Sequence, residues 1–224
     1  KDKRLRSSVM IEAAGLVIVI DAGPDFRTQM LREHVKRLDA ILVTHHHKDH
    51  IGGLDDVRAF NYFMSKPTDV YANTDTLAGI RHELVYAFDD DKYPGVPKIN
   101  LVDVSTGAFK IKDVEILPIK VMHFNREILG FRIGGFVYIT DANFIAEEEK
   151  EKMKNAEVLV LNALRRESHE THFTLNQAVE LMLELSPKQG FLTHMSHQLG
   201  LHADLEKELP DFIHPAYDGL SIFL

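Results

Sequence analysis

The sequence predicts an α+β fold: two mixed sheets packed face to face, with helices outside. Three observations lead there. Short apolar runs of strand length outnumber stretches of helical composition, helices follow the strand groups in both halves, and no linker or shift in composition divides the chain. A chain of 224 residues can bury a sizeable core, and one domain over residues 1–224 is expected.

Ser8 to Glu12 and Leu16 to Asp21 are predicted strands joined at Ala13-Ala14-Gly15. The second opens Leu16-Val17-Ile18-Val19-Ile20, the uninterrupted apolar run of a strand buried on both faces. Asp21-Ala22-Gly23-Pro24-Asp25 breaks it, and Phe26 to Glu33 has helical composition. Ala40 to Thr44 predicts a strand, Gly53 to Phe63 a helix, Val70 to Ala72 a short strand and Thr74 to Tyr86 a helix. From Ala87 to Asn100 the chain turns acidic and then reads Tyr93-Pro94-Gly95-Val96-Pro97, an irregular segment or flap. Beyond it, strands are predicted at Phe109 to Lys112, Val114 to His123, Ile128 to Ile133 and Phe136 to Thr140, with turns near Asp113 and at Gly134-Gly135. Asn143 to Lys154 predicts an acidic, exposed helix and Val158 to Leu161 a buried strand. Thr174 to Leu185 predicts a helix opened by the capping-box pair Thr174 and Gln177, and the strand Phe191 to Thr193 runs into His194.

Composition removes several classes of function. The net charge of −8 argues against a broad nucleic-acid footprint. There is no cysteine, hence neither a disulfide nor a thiolate metal site. No apolar run approaches membrane-spanning length. A soluble cytoplasmic enzyme with a small-molecule substrate is expected; a homodimer is allowed but not specified.

The densest chemistry lies in His45-His46-His47-Lys48-Asp49-His50, directly after the apolar run Ala40-Ile41-Leu42-Val43. In an extended segment, side chains two apart point the same way, so His45 and His47 can share one cation. Asp49 and His50, where the chain turns toward a helix, can reach a second, and His46 packs behind. Imidazole and carboxylate together suit zinc, manganese or iron. Three more strands end in ligand-type residues: His123 closes Ile116 to Met122, Asp141 follows Val137 to Thr140, and His194 follows Gly190 to Thr193. Singly, each is an ordinary turn or surface residue. Together they match the way open sheets build sites at strand ends.

The order His45-x-His47-x-Asp49-His50, His123, Asp141, His194 resembles the metallo-β-lactamase superfamily over nearly the whole chain. The resemblance implies a four-layer αββα sandwich with a dinuclear centre of zinc or manganese. His45, His47 and His123 would hold one ion, Asp49, His50 and His194 the other, and Asp141 would bridge them. True lactamases often carry Cys at the bridging position, which this chain lacks. Within the superfamily the chain is more similar to phosphodiesterases. Ser168-His169-Glu170-Thr171-His172-Phe173-Thr174 followed by a helix, then Thr193-His194-Met195-Ser196, resembles ribonuclease Z and implies His172 as general acid. The Asp21-Ala22-Gly23-Pro24-Asp25-Phe26-Arg27 turn, the Arg165-Arg166 pair and Tyr217-Asp218-Gly219-Leu220 resemble the phosphoribosyl cyclic phosphodiesterases of the carbon–phosphorus lyase pathway. Nothing here matches their N-terminal strand with its Cys-rich zinc site, so the chain is expected to begin after that strand.

The implied activity is hydrolysis of a small cyclic or nucleotide-like phosphodiester by hydroxide activated between two divalent ions. Asp49 could orient or deprotonate the water. Arg165, Arg166 and His169 are candidate contacts for the substrate phosphate, although the arginines could equally pair with Glu147 to Glu151. Asp21 and Asp218 are candidates to orient ligating imidazoles. Two other readings stay open: a tRNA 3′-processing nuclease like ribonuclease Z, disfavoured by the acidic charge, and a non-catalytic metal-binding relative from cofactor biosynthesis.

Overall fold

The computed structural model describes residues 1–91 and 93–224, and they form two compact units, Arg6–Val114 and Lys1–Leu5 with Glu115–Leu224. In the first unit five strands lie in the order β1 (Val9–Ala13), β2 (Leu16–Ile20), β3 (Ala40–Leu42), β4 (Thr68–Ala72) and β5 (Ile99–Asp103). β1 and β2 form an antiparallel hairpin across Ala14-Gly15, both at positive φ, as a two-residue turn demands. β2 through β5 are parallel, so all their C-terminal ends share one edge. The core of this unit is continuous from Val19 and Phe26 through Ile41, Val43 and Leu54 to Val70 and Ile80. Each fully buried aliphatic of this kind contributes about 1.5–3 kcal/mol by leaving water.

The helices of this unit are shorter than the sequence predicts. α1 (Phe26–Arg32) and α2 (Lys48–Ile51) follow β2 and β3. The predicted helix from Gly53 starts as a 3-10 turn, Leu54–Val57, before α3 (Arg58–Met64), which ends at Ser65 in the left-handed conformation. The predicted helix to Tyr86 splits into α4 (Thr74–Glu83), capped by the Asn73 side chain, and α5 (Val85–Phe88), because Leu84 leaves helical geometry. The segment expected to be irregular to Asn100 gives way to β5 at Ile99, and within it Lys92 lies outside the described residues. β6 (Phe109–Ile111) follows in the chain but is not a strand of this five-stranded sheet, and its Phe109 ring stacks on Tyr71.

The second unit carries a sheet running β12 (Ile213–Pro215), β11 (Gln189–Thr193), β10 (Val158–Asn162), β9 (Phe136–Tyr138), β8 (Arg126–Ile133), β7 (Val114–His123). β9 to β12 are parallel, whereas β8 is antiparallel to both its neighbours. β7 therefore points the same way as β9, and the C-terminal ends of β7, β9, β10 and β11 fall on one edge. α7 (Leu175–Leu185) packs Leu175, Ala178, Leu181, Met182 and Leu185 into the core against Leu159, Leu161 and Leu192. Its start is the predicted capping box, with Thr174 and Gln177 satisfying each other's backbone amides. The predicted helix Asn143 to Lys154 is corrected to α6 (Glu147–Glu151), since Asn143 is a bend, Phe144 bridges Met122 and Ala146 is extended. Three glutamates in the first turn of α6 suit the positive end of the helix dipole. α8 (His202–Glu208) and β12 complete the unit. Among the described residues no helix is long and apolar enough to cross a membrane.

Candidate metal centre

Each unit gathers its ligand-type residues at the C-terminal edge of its parallel strands. In the first unit the chain leaves β3 through Val43 and Thr44 and presents His45, buried, then His47 at the start of α2, with Asp49 and His50 inside it. The ring of His45 lies 4.5 Å from that of His47 and 4.2 Å from that of His50. Asp21, fully buried after β2, organises this group. Its carboxylate accepts the Thr44 amide at 2.8 Å and the Thr44 hydroxyl at 2.9 Å, and meets His50 Nδ1 at 2.7 Å. A carboxylate can only accept there, so Nδ1 carries the hydrogen and Nε2 presents its lone pair, as in carboxylate–histidine–metal triads. His50 Nε2 faces Asp49 Oδ2 at 3.4 Å. Gly23 makes the close packing possible: a Cβ on it would stand 2.0 Å from the Asp49 carbonyl oxygen. His46 turns the other way, against Gly79 of α4 and 3.7 Å from Asp75.

In the second unit His123 ends β7, and its Nδ1 donates to the carbonyls of Asp141 at 2.6 Å and Thr171 at 2.9 Å. Here too Nε2 is left as the donor atom. Asp141 follows β9 and is almost fully buried, with its two oxygens each 3.3 Å from an imidazole Nε2, of His172 and of His194. The Thr140 hydroxyl donates to Asp141 Oδ1 at 2.5 Å, and Asn162, at the end of β10, grips both backbone groups of Ala142. His172 is buried, stacked on His194 at 5.0 Å and edge-on to His123 at 4.9 Å, and its Nδ1 meets the Thr171 hydroxyl at 2.6 Å. His123, Asp141 and His172 each offer a ligand atom within 4.8 Å of the others.

Three of these residues sit in a strained backbone conformation. Asp21, Asp141 and His194 all hold positive φ, at 63°, 58° and 52°. Asp and His tolerate the left-handed region better than most residues, and such outliers cost about 1–3 kcal/mol each. The donor chemistry fits divalent cations: buried carboxylates, imidazoles with Nδ1 committed, and rings crowded at distances where lone pairs facing one another would repel without a cation.

The remaining predicted residues fall outside these groups. Arg165 braces its own loop by donating to the carbonyls of Glu167 and Ser168, and Arg166 pairs with Glu208 of α8 rather than with α6. Glu147, Glu149 and Glu151 of α6 are matched by Lys150, Lys152 and Lys154. His169, half-buried behind His172, accepts from Thr171; burial, with His172 and Arg165 nearby, holds its imidazole below the ordinary histidine range. Asp218 accepts the Leu5 amide. Thr44, Thr140, Thr171 and Asn162 were not singled out in the sequence. Asn162 carried a usable signal, a polar residue closing the apolar run Val158-Leu159-Val160-Leu161, the same signature that marks Asp141 and His194.

Residues 17–195 match the beta-lactamase superfamily domain. The chain belongs to that superfamily. A solved diphosphatase from the PhnP family is 36% identical, with all of this chain and 86% of that one covered and a TM-score of 0.92. Zinc-bound PqqB from Methylobacterium extorquens (19% identity, 99% and 88% covered, TM-score 0.77) and the short form of human tRNase Z (18%, 100% and 94%, 0.73) share the superfamily fold. An octanoyltransferase from Porphyromonas gingivalis is 39% identical over 226 residues, which is 100% of this chain but 46% of that protein. The chain thus spans less than half of the curated relatives it matches; for ribonuclease Z from Bradyrhizobium diazoefficiens the match is 54 residues, 23% of this chain and 18% of that one, at 43% identity. Superfamily membership and the two His/Asp groups make this a metallo-hydrolase fold equipped to bind divalent metal.

Proposed function

We propose that the protein is a metal-dependent phosphodiesterase acting on a small cyclic or nucleotide-like phosphodiester, and that its two ligand sets serve one dinuclear centre of zinc or manganese. On the superfamily pattern His45, His47 and His123 take one ion, Asp49, His50 and His194 the other, and Asp141 bridges. The observation that carries the reading is His172: a buried imidazole held between the Thr171 hydroxyl and the Asp141 carboxylate, beside the ligand set. An imidazole so placed is a candidate proton donor, for which a protein that merely stores metal has no use. The likeness over this whole chain to a PhnP-family diphosphatase supports a phosphate-bearing substrate. Bound divalent ions would supply an acidified water and charge neutralisation at the phosphate oxygens. The chain's own residues do the rest. Asp49, beside His50 Nε2, orients the attacking water, and His172, with Nε2 3.3 Å from Asp141, is placed to give a proton to the departing alkoxide.

A tRNA-processing role is second, favoured by the ribonuclease Z likeness and opposed by the charge of −8. Octanoyl transfer is the name of a relative more than half of which lies outside the match, and this chain offers no cysteine to carry an acyl group. A cytoplasmic location completes the proposal. The test is turnover by purified protein, metal-loaded and metal-stripped, on bis(p-nitrophenyl) phosphate, 2′,3′-cyclic nucleotides, a tRNA precursor and nitrocefin. Metal-dependent cleavage of the small diesters is expected. Cleavage of the precursor alone would favour the nuclease, and cleavage of nitrocefin alone would refute phosphodiester chemistry.

A further inference from the structure

Two phenylalanines stand in solvent next to the ligand edge of the second unit, where apolar side chains have least reason to be. Phe124 directly follows His123 and is 55% exposed; Phe144 follows Asp141 by three positions and is 58% exposed. The position of Phe124 is unusual. His123 pairs with Arg126, so Phe124-Asn125 is a two-residue hairpin loop, and Phe124 sits at φ 57°. Such a loop position favours Gly, Asn or Asp, and a bulky side chain there is a conformational outlier. The structure maintains it: the Phe124 amide donates to Asn143 Oδ1 at 3.0 Å, and Asn143 Nδ2 donates to the Glu170 carbonyl at 2.7 Å. The same short segment is tied to β7 by the reciprocal bonds between Met122 and Asn143–Phe144. One asparagine therefore locks the Phe124 loop, the Phe144 strand and the segment leading to His172 into a single rim.

A strained, exposed aromatic held in place beside a reaction centre costs stability and solubility, and is accounted for if a ligand covers it. Resting on the phosphodiesterase reading, we infer that Phe124 and Phe144 seat a planar ring of the substrate, so that the preferred phosphodiester carries a nucleobase-like group. Every face of a base can stack on such a platform without hydrogen bonds. Asn143 is then a positioning residue, fixing both rings relative to His123 and His172.

The test compares 2′,3′-cyclic AMP with glycerol 1,2-cyclic phosphate, which keeps the cyclic diester and alkoxide leaving group but has no aromatic base. Metal-loaded wild type is expected to favour the nucleotide. Phe144→Ala and Phe124→Asn should each raise KM for the nucleotide roughly five- to hundred-fold, while glycerol ester turnover stays within about twofold. Phe124→Asn should also hold or raise the melting temperature, because asparagine accepts a positive φ. Equal losses on both esters, no change on either, or a wild-type preference for the glycerol ester would overturn the inference. If wild type cleaves neither ester, the phosphodiesterase reading fails. The aromatic seat is then judged by equilibrium binding of AMP, which both variants must weaken by the same factor, and unchanged AMP binding would refute it.

Discussion

Replacing His172 by Ala should damage catalysis in proportion to how badly the leaving group needs a proton. His172 Nε2 lies 3.3 Å from Asp141 Oδ2 and Nδ1 lies 2.6 Å from the Thr171 hydroxyl, so both ring nitrogens are held by polar partners. A positioned acid contributes about 10²–10⁴ in rate, or about 3–5 kcal/mol of barrier. That contribution is needed only where a poor leaving group departs. An alkoxide leaving from a 2′,3′-cyclic nucleotide requires it; p-nitrophenolate hardly does. His172→Ala should therefore lose about 10²–10⁴ in kcat on the cyclic nucleotide and less than about tenfold on bis(p-nitrophenyl) phosphate. Steady-state kinetics on the two substrates at matched metal loading decide it. His172 also lies within ligand distance of His123 and Asp141, and a ligand role predicts something different: equal losses on both esters, with metal lost from the protein. That pattern would refute the general-acid argument.

Three further outcomes follow from the geometry. Asp21→Asn removes the carboxylate that fixes His50 and Thr44, and should weaken metal binding about 10–100-fold in chelator competition; unchanged affinity would remove Asp21 from the site. Gly79→Ala should destabilise although alanine is the better helix former by about 1 kcal/mol, because its Cβ would meet His46 Cγ at 2.4 Å and overpacking costs about 1–3 kcal/mol. A raised melting temperature would contradict the packing. Burial pushes the Asp39 carboxyl up, but Arg37, the Val17 amide and Lys66 together hold it below the usual carboxylate range. Its stabilisation is complete above the unfolded carboxylate pKa and disappears as pH falls through the lower folded value. The gap in urea midpoint between wild type and Asp39→Asn should thus be present at pH 7 and shrink below about pH 4.

Contiguity explains what could be read from the sequence. His45, His47, Asp49 and His50 stand within six positions after an apolar strand, so their meeting needs only local geometry. Asp141 and His194 were legible because each interrupts a buried strand at its end. The residues that hold them were not. Thr44, Asn162 and the Thr171 carbonyl act through hydrogen bonds whose partners are 23, 20 and 48 positions away, and Thr and Asn at strand ends and in loops are common without such a role. The helix predicted from Asn143 failed because that side chain is committed to Phe124 and Glu170 and the backbone at Asn143–Phe144 bonds to Met122 instead of entering a helix. β12 was invisible as three residues ending in Pro, a residue confined to sheet edges, and at the edge is where it lies. Arg165 and Arg166 show the converse: a forked cation next to a predicted site bonds its own loop and α8.

The most direct measurement is hydrolysis of a 2′,3′-cyclic nucleotide by metal-stripped protein titrated with zinc or manganese. Activity is expected to rise from baseline and level at two equivalents per chain. Two equivalents bound with no phosphodiester turnover would contradict it.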